Sequence, residues 1–194
     1  MKSAPIPSDE AQRLARLRSY GVLDTPPEET FDRIVRLAQR LLEAPIVLVS
    51  LVDAHRQWFK AKVGLDVAET PREQAFCAHA ILEQEVMVVP DAAEDPRFAA
   101  NPLVRTEPRI RFYVGAPLGP KEGQGAIGTL CVLDRTPRVP KPSDVEVLRD
   151  LAALVTDELE LRRTRRNVER RVAMYELSER VARAGHWFYD RDEK

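Results

Sequence analysis

The residues with the widest chemical range in this chain are two cysteines, Cys77 and Cys131, and one histidine, His79. A thiolate attacks electrophiles and binds soft metals, while imidazole is the common base or metal ligand near neutral pH. A Cys-x-His pair suggests zinc. On a helix, however, residues two apart point about 200° apart, at roughly 100° per residue, so Cys77 and His79 cannot share an ion without distortion. Three ligands would also leave a structural zinc site incomplete. No metal is expected, and both cysteines read as small buried thiols of a reducing compartment. A redox pair is the other chemistry open to them. It would require a reactive thiol of lowered pKa, and no base adjoins either cysteine in sequence. The chain carries no paired carboxylates, Ser-His-Asp set, phosphate loop or HExxH. It is expected to be non-catalytic and to require no cofactor.

Recognition is the next possibility. Trp58, Phe59, Phe76, Phe98 and Tyr113 are candidates to line a ligand pocket, although aromatics more often fill a core. Cys77 and Cys131 belong to the same candidate set, and Arg97 and Arg111 are the polar candidates. Arg97 lies in an acidic, proline-rich loop with Asp91 and Asp95, so pairing with those carboxylates to hold the loop shut is the first expectation. Asp134 should cap the turn after its strand. His186 and Trp187 read as packing residues.

A mixed set of elements must position these groups. Ser8 before Asp9 and Glu10 predicts a helix reaching about Tyr20, stopped by Gly21. Thr25-Pro26-Pro27-Glu28 has the pattern of a capping box with proline at the first helical position. Behind it Phe31, Ile34, Val35, Ala38, Leu41 and Leu42 form one apolar stripe. After Pro45 the period changes. Ile46–Val52 is a β-branched run broken by Ser50, and residues 57–63 alternate Trp58, Lys60 and Lys62 against Phe59, Ala61 and Val63. Together they predict a hairpin with one buried face. Thr70-Pro71-Arg72-Glu73 predicts a second capping box, opening a helix to about Glu83. A short strand at 86–89 ends at Pro90. Residues 91–109 read as a long ordered loop with a helical turn at 96–99. Strands at 111–118 and 126–133 are joined by a flexible connection, 119–125. Ser143-Asp144-Val145-Glu146 caps the last helix. Without regular β-α-β alternation or a Gly-rich turn after the first strand, this order predicts an α+β fold, an antiparallel sheet flanked by helices, rather than a doubly wound nucleotide fold.

Composition narrows the partners. Thirty Lys and Arg against 31 Asp and Glu leave a net charge of −1 in 194 residues, which argues against a nucleic-acid partner. No apolar run approaches the roughly 20 residues of a membrane span, and residues 1–10 have no signal-peptide pattern, so a cytoplasmic location is expected. From Ser143 no helix breaker occurs until Gly185. Leu154, Leu161, Val168, Tyr175 and Ala182 fall seven apart, one column of a heptad, whereas the second column is poor. Eight arginines and five glutamates lie between positions 158 and 183, many at i,i+4 spacing. Either a solvated helix held by local ion pairs or a parallel coiled coil satisfies this pattern; a helix this long rarely stays single, which favours the coiled coil.

The segments converge on a family. Leu23-Asp24-Thr25-Pro26-Pro27-Glu28 with Phe31-Asp32, then Ala44-Pro45-Ile46 through Val52-Asp53, Arg56-Gln57-Trp58-Phe59-Lys60, and Phe76-Cys77-Ala78-His79-Ala80-Ile81 resemble bacterial GAF domains. So do Asp91 with Asp95-Pro96-Arg97-Phe98, Asn101-Pro102-Leu103-Val104, 111–118 and 128–134. The ordered series spans roughly 14–161 and is specific as a set. The resemblance implies an antiparallel sheet with helices on both sides, a small-molecule pocket between sheet and loops, and a homodimer through the N- and C-terminal helices. Some relatives attach a bilin through a cysteine beside a histidine; here Ala78 separates the two. Other relatives of the fold reduce free methionine sulfoxide through cysteines. Glu176-Leu177-Ser178-Glu179 and Ala184-Gly185-His186-Trp187-Phe188-Tyr189-Asp190 resemble the opening of a PAS domain. The expectation is a GAF sensor domain over 1–160, a signalling helix over 144–183 and the start of a PAS-like domain at 184–194. Such a protein would be a signalling protein, for example a histidine kinase of a two-component system, a diguanylate cyclase or a phosphodiesterase. A ligand-free dimerisation module and a thiol enzyme of the same fold are the alternatives. A well-formed, partly polar cavity near Arg111 and Tyr113 would mark the sensor, and a filled core with a large helical interface the dimerisation module.

Overall fold

Seven consecutive buried residues, Ile46–Val52, form the central strand β1. Their even-numbered side chains face one apolar layer and their odd-numbered ones another, which is why the run is apolar rather than alternating. The computed structural model describes residues 2–119 and 125–189, with side chains through 181. It comprises two compact units, Met1–Leu159 and Glu160–Lys194.

The first unit is α+β, as expected. Helices α1 (Glu10–Ser19) and α2 (Glu29–Leu41) precede β1, followed by β2 (Arg56–Val63), β3 (Glu69–Pro71) and a 3-10 turn, Arg72–Gln74. Then come α3 (Phe76–Ala80), β4 (Met87–Val89), α4 (Pro102–Arg105), β5 (Phe112–Leu118), β6 (Gly128–Asp134) and α5 (Pro142–Tyr189). The six strands form one sheet in the order β3-β2-β1-β6-β5-β4, every neighbour antiparallel. On one face Leu17, Phe31, Val35, Leu148, Leu151, Val155 and Leu159 of α1, α2 and α5 pack on Val47, Val49, Leu51, Val114, Leu130 and Val132. On the other, α3 and the 91–110 segment cover Ile46, Leu48, Val52, Tyr113, Cys131 and Leu133. No helix among the described residues is long and apolar enough to cross a membrane.

Several local expectations are corrected. Thr25 does not cap α2, whose first turn follows Glu28 without a side-chain cap. Its hydroxyl donates to the Val22 carbonyl (2.6 Å) and accepts from Lys60 Nζ (2.8 Å). Lys60 is buried and also donates to the Pro26 carbonyl and to Glu28, so the 25–28 turn serves as its cage. Its burial follows from a bulge. The pairing of β1 with β2 shifts between Val49/Ala61 and Ser50/Phe59, leaving Lys60 as the extra residue and breaking the alternation. Trp58 and Ala61 therefore share the helical face, while Phe59 turns to the other; both faces of the hairpin are buried, not one. Thr70 opposes Gln57 in the β2–β3 ladder instead of capping a helix, and the helix expected to about Glu83 is reduced to the 3-10 turn and the five residues of α3. At the start of α5, Pro142 is the first helical residue and Asp144 accepts from the Lys141 amide (3.0 Å), so Ser143 is not the cap. Helix α4, unanticipated, is capped by Asn101, whose side chain accepts from the Leu103 amide. The connection expected at 119–125 falls mostly outside the described residues.

Helix α5 continues to Tyr189, through Gly185, rather than ending near 183. A single glycine costs a helix only about 1 kcal/mol and is not an obligatory stop. In the second unit Leu161, Val168 and Tyr175 of the heptad column are exposed, and Glu160 pairs with Arg163. The expected start of a further domain at 184–194 passes beyond the described residues after 189.

A buried ion cluster ties α1 to the sheet, and no local sequence pattern announces it. Arg13, fully buried, donates from Nε to Glu10 (2.7 Å) and from Nη1 to the Val52 carbonyl (2.7 Å). Arg72 reaches the same carboxylate and the Asp53 carbonyl (3.1 Å). The Arg13 hydrogen bonds first, and those of Arg72 against the opposing effect of burial, hold the Glu10 carboxyl down at about 2. A depressed carboxylate stabilises the fold fully above its unfolded value of 4.5 and loses that contribution as pH falls through the window from 4.5 to about 2. Glu10→Gln should cost roughly 2–4 kcal/mol at neutral pH, because two buried guanidinium groups lose their counter-charge. Denaturant titration should also show a flatter acid limb in that window than the native sequence gives; equal limbs would contradict the assignment.

Candidate functional site

Helix α3 is short because its residues belong to the sheet's second cover. Ala75 before it is extended, and Phe76, Cys77, Ala78 and Ala80 are all buried. This directs Cys77 onto β6, where its Sγ lies 3.7 Å from Cys131 Sγ. Thr129, two residues earlier on the same face of β6, donates its hydroxyl to Cys77 Sγ at 3.0 Å. Tyr113 of β5 donates to the same sulfur at 3.5 Å. Its hydroxyl reaches there by lying across Gly115, where a Cβ would stand 2.1 Å from the phenol oxygen. Ser50, the cross-strand partner of Thr129, completes the cluster. Its Oγ lies near Cys77 without a hydrogen bond of acceptable geometry.

This polar group is enclosed by aromatics. Phe76 stacks on Phe98 (4.2 Å between centroids) and on Tyr113 (5.3 Å), and His79 meets Phe98 edge-on at 4.9 Å. The imidazole faces away from the sulfurs, with Nε2 3.2 Å from the Lys2 carbonyl, as the helical angle requires. Burial lowers its pKa. Among the described residues no three His, Cys, Asp or Glu side chains gather in a metal-binding group.

The two thiols are unlike. Burial raises Cys77, but contacts from Cys131, Thr129 and Tyr113 outweigh it, and the thiol is lowered to about 7. Cys131 is raised, by burial first and then by its neighbour Cys77. Burial also raises Tyr113 well above the usual phenol range, so its hydroxyl remains a donor. Cys77 is the more acidic sulfur because Cys131 first, and then the Thr129 and Tyr113 hydroxyls, hydrogen-bond to it.

Of the nine candidate residues, Phe59, Phe76, Cys77, Phe98, Tyr113 and Cys131 lie in this one layer. Trp58 lies on the opposite face, with α2. The arginines sit at the rim and are held. Arg97 forms a fork with Asp95 and covers the Phe98 ring at 5.0 Å. Arg111 pairs with Asp91, not Arg97 as the loop sequence suggested, and these bonds lower both carboxyls. Asp134 accepts from the Thr136 amide, the expected turn. Near Arg111, where a ligand was expected, Phe76, Phe98 and Tyr113 are buried and stacked on one another. A cleft of about 490 Å³ opens elsewhere, at Asp53, His55, Arg56, Glu69 and Thr70. There Arg56 is committed to Asp24, Asp53 and Glu69.

Thr129 and Ser50 were not singled out as site residues from sequence, yet a signal existed. Each is a hydroxyl inside an otherwise apolar buried strand, which calls for a partner. Gly115→Ala should displace the Tyr113 hydroxyl from Cys77 and cost roughly 1–3 kcal/mol in thermal or denaturant unfolding. Thr129→Val should raise the Cys77 pKa, read from thiolate ultraviolet absorbance against pH; an unchanged titration would remove Thr129 from the account.

A family model described as the GAF domain matches residues 26–159. Along 176 residues, 90% of this chain, the sequence is 43% identical to a cyclic di-GMP phosphodiesterase of Pseudomonas aeruginosa, and it spans 30% of that protein's length. Among solved structures, the GAF domain of an Acinetobacter phosphoenolpyruvate-protein phosphotransferase superposes with a TM-score of 0.58 at 17% identity. It covers 79% of this chain and 94% of that one. Free methionine-R-sulfoxide reductase from Neisseria meningitidis gives 0.57 at 19% identity, over 84% and 99% of the two chains. At such identities the structures establish a common fold.

Proposed function

The chain belongs to the GAF family, and from that premise we propose that it is a non-catalytic sensor domain that forms a homodimer and passes its state through α5 to a downstream output domain. Helix α5 carries the reading. Its first turns complete the core with Leu148, Leu151, Val155 and Leu159. The same helix carries Leu154, Leu161, Val168 and Tyr175, seven apart and exposed. A helix of 48 residues with an uncovered apolar column lacks the burial that stabilises helices in water, and a second copy presenting the same column in parallel supplies it. Helix α1, anchored to the sheet by Glu10, joins the interface in this reading. Residues 184–194 begin a PAS-like segment that relays to the output. The 43% identity to the Pseudomonas protein supports an output of the cyclic di-nucleotide phosphodiesterase class in the whole protein. The reductase likeness is one of fold and lends no activity.

The signal enters, in this proposal, through the layer of α3 and the 91–110 segment. The Phe76–Phe98–Tyr113 stack lies buried in that layer, and a small molecule binding there would act on Phe98 and its Arg97 cover. A dimerisation module without a ligand is the second reading, carried by the same exposed column of α5.

Native mass spectrometry of the 194-residue chain should give a dimer. Leu161→Glu combined with Val168→Glu should raise the dimer dissociation constant at least about a hundredfold while leaving the unfolding of the first unit unchanged. Mass beyond two chains would identify a captured ligand, and its absence would favour the ligand-free module. A monomeric native chain would overturn the helix-relay reading.

A further inference from the structure

Neither the family fold nor the helix relay uses the two sulfurs. We propose that Cys77 and Cys131 form a reversible intramolecular disulfide, a modification site written by a small hydroperoxide and erased by a dithiol reductant. The sulfurs already touch at 3.7 Å, and the bond requires closure to about 2 Å. One partner is fixed in β6, paired on both sides. The other rides on the five-residue α3, the shortest helix but one among the described elements and the part of the layer best able to move. No further cysteine exists to compete as a resolving thiol.

The cluster is suited to each step. Thr129 and Tyr113 donate hydrogen bonds to Cys77 Sγ and favour its thiolate. That sulfur attacks one oxygen of the hydroperoxide, the O–O bond breaks, and the leaving alkoxide takes a proton to become an alcohol, or water from hydrogen peroxide itself. Cys77 is now a sulfenic acid. Ser50 Oγ, buried and without a partner, is available to bond its oxygen. The Cys131 sulfur, as thiolate after passing its proton to the departing hydroxide, attacks the sulfenic sulfur. The S–S bond forms and water leaves. Two electrons pass from the sulfurs to the peroxide bond. Cys77 is 1% exposed and Cys131 not at all, so the oxidant enters through local opening of α3 and its adjoining loop rather than by surface attack.

Hydrogen peroxide added to the native chain tests this, followed by denaturation in an alkylating agent and intact-mass measurement. The expected result is joint loss of both alkylatable thiols and of two hydrogens in mass, reversed by dithiothreitol, at a rate exceeding that of global unfolding. In Cys131→Ala the product should instead be a Cys77 sulfenic acid trapped by a dimedone probe. Thiols that both remain alkylatable, a sulfinic product in place of the disulfide, a bond between chains, or oxidation no faster than unfolding would each overturn the proposal. The native-chain arm stands even where the variant folds poorly.

Discussion

Strand β1 is covered on both faces and hydrogen-bonded along both edges, and this double burial sets the terms for the rest of the molecule. A strand so placed has no solvent side, so each residue must be apolar or find a partner inside. One cover is made of helices, which satisfy their own backbone. The other is α3 with the 91–110 segment, which has little regular structure and must satisfy its backbone and charges piecemeal. That accounts for the density of local ties there: Asp95 with Arg97, Asp91 with Arg111, and Asn101 both capping α4 and donating to the Gln74 carbonyl.

The same constraint reaches the N-terminal helix. The turn after β1 leaves the carbonyls of Val52 and Asp53 at the end of a buried strand, where water is scarce. Arg13 and Arg72 meet these carbonyls, and Glu10 balances the two guanidinium groups. One carboxylate thus joins α1, the β1–β2 turn and the segment after β3. Lys60 plays a parallel part at the other helix: forced inward by the bulge, it draws the 25–28 turn and the start of α2 onto β2.

The α+β class, the order of the elements and five of the six strands were legible from periodicity, since β1, β5 and β6 are apolar runs between strong breakers. The ordered family segments carried the architecture further than propensity alone. What periodicity missed depends on contacts distant in sequence. The capping-box pattern at Thr25 was genuine as a pattern, but a lysine 35 residues away claimed the hydroxyl. The bulge at Lys60 leaves no local mark, so the faces of Trp58 and Ala61 were misassigned. At the site, the named aromatics and cysteines share one layer except for Trp58. The arginines were marked for recognition, yet nearby aspartates hold both of them.

The two covers differ in chemistry as well as in structure. The helical face of β1, β5 and β6 is packed with Val, Leu, Phe and Ala. The opposite face places Ser50, Tyr113, Thr129, Cys77 and Cys131 together, with one hydroxyl unsatisfied. An apolar set of similar size would pack there at less cost, because a buried hydroxyl without a partner sacrifices about 1–3 kcal/mol. Departures of this kind concentrate where a protein needs chemistry or motion rather than stability. Strand β6 connects the two layers: Cys131 faces the polar cluster, while Leu130 and Val132 belong to the core that holds the first turns of α5. One strand thus carries both a sulfur of the polar cluster and the residues beneath the first turns of α5.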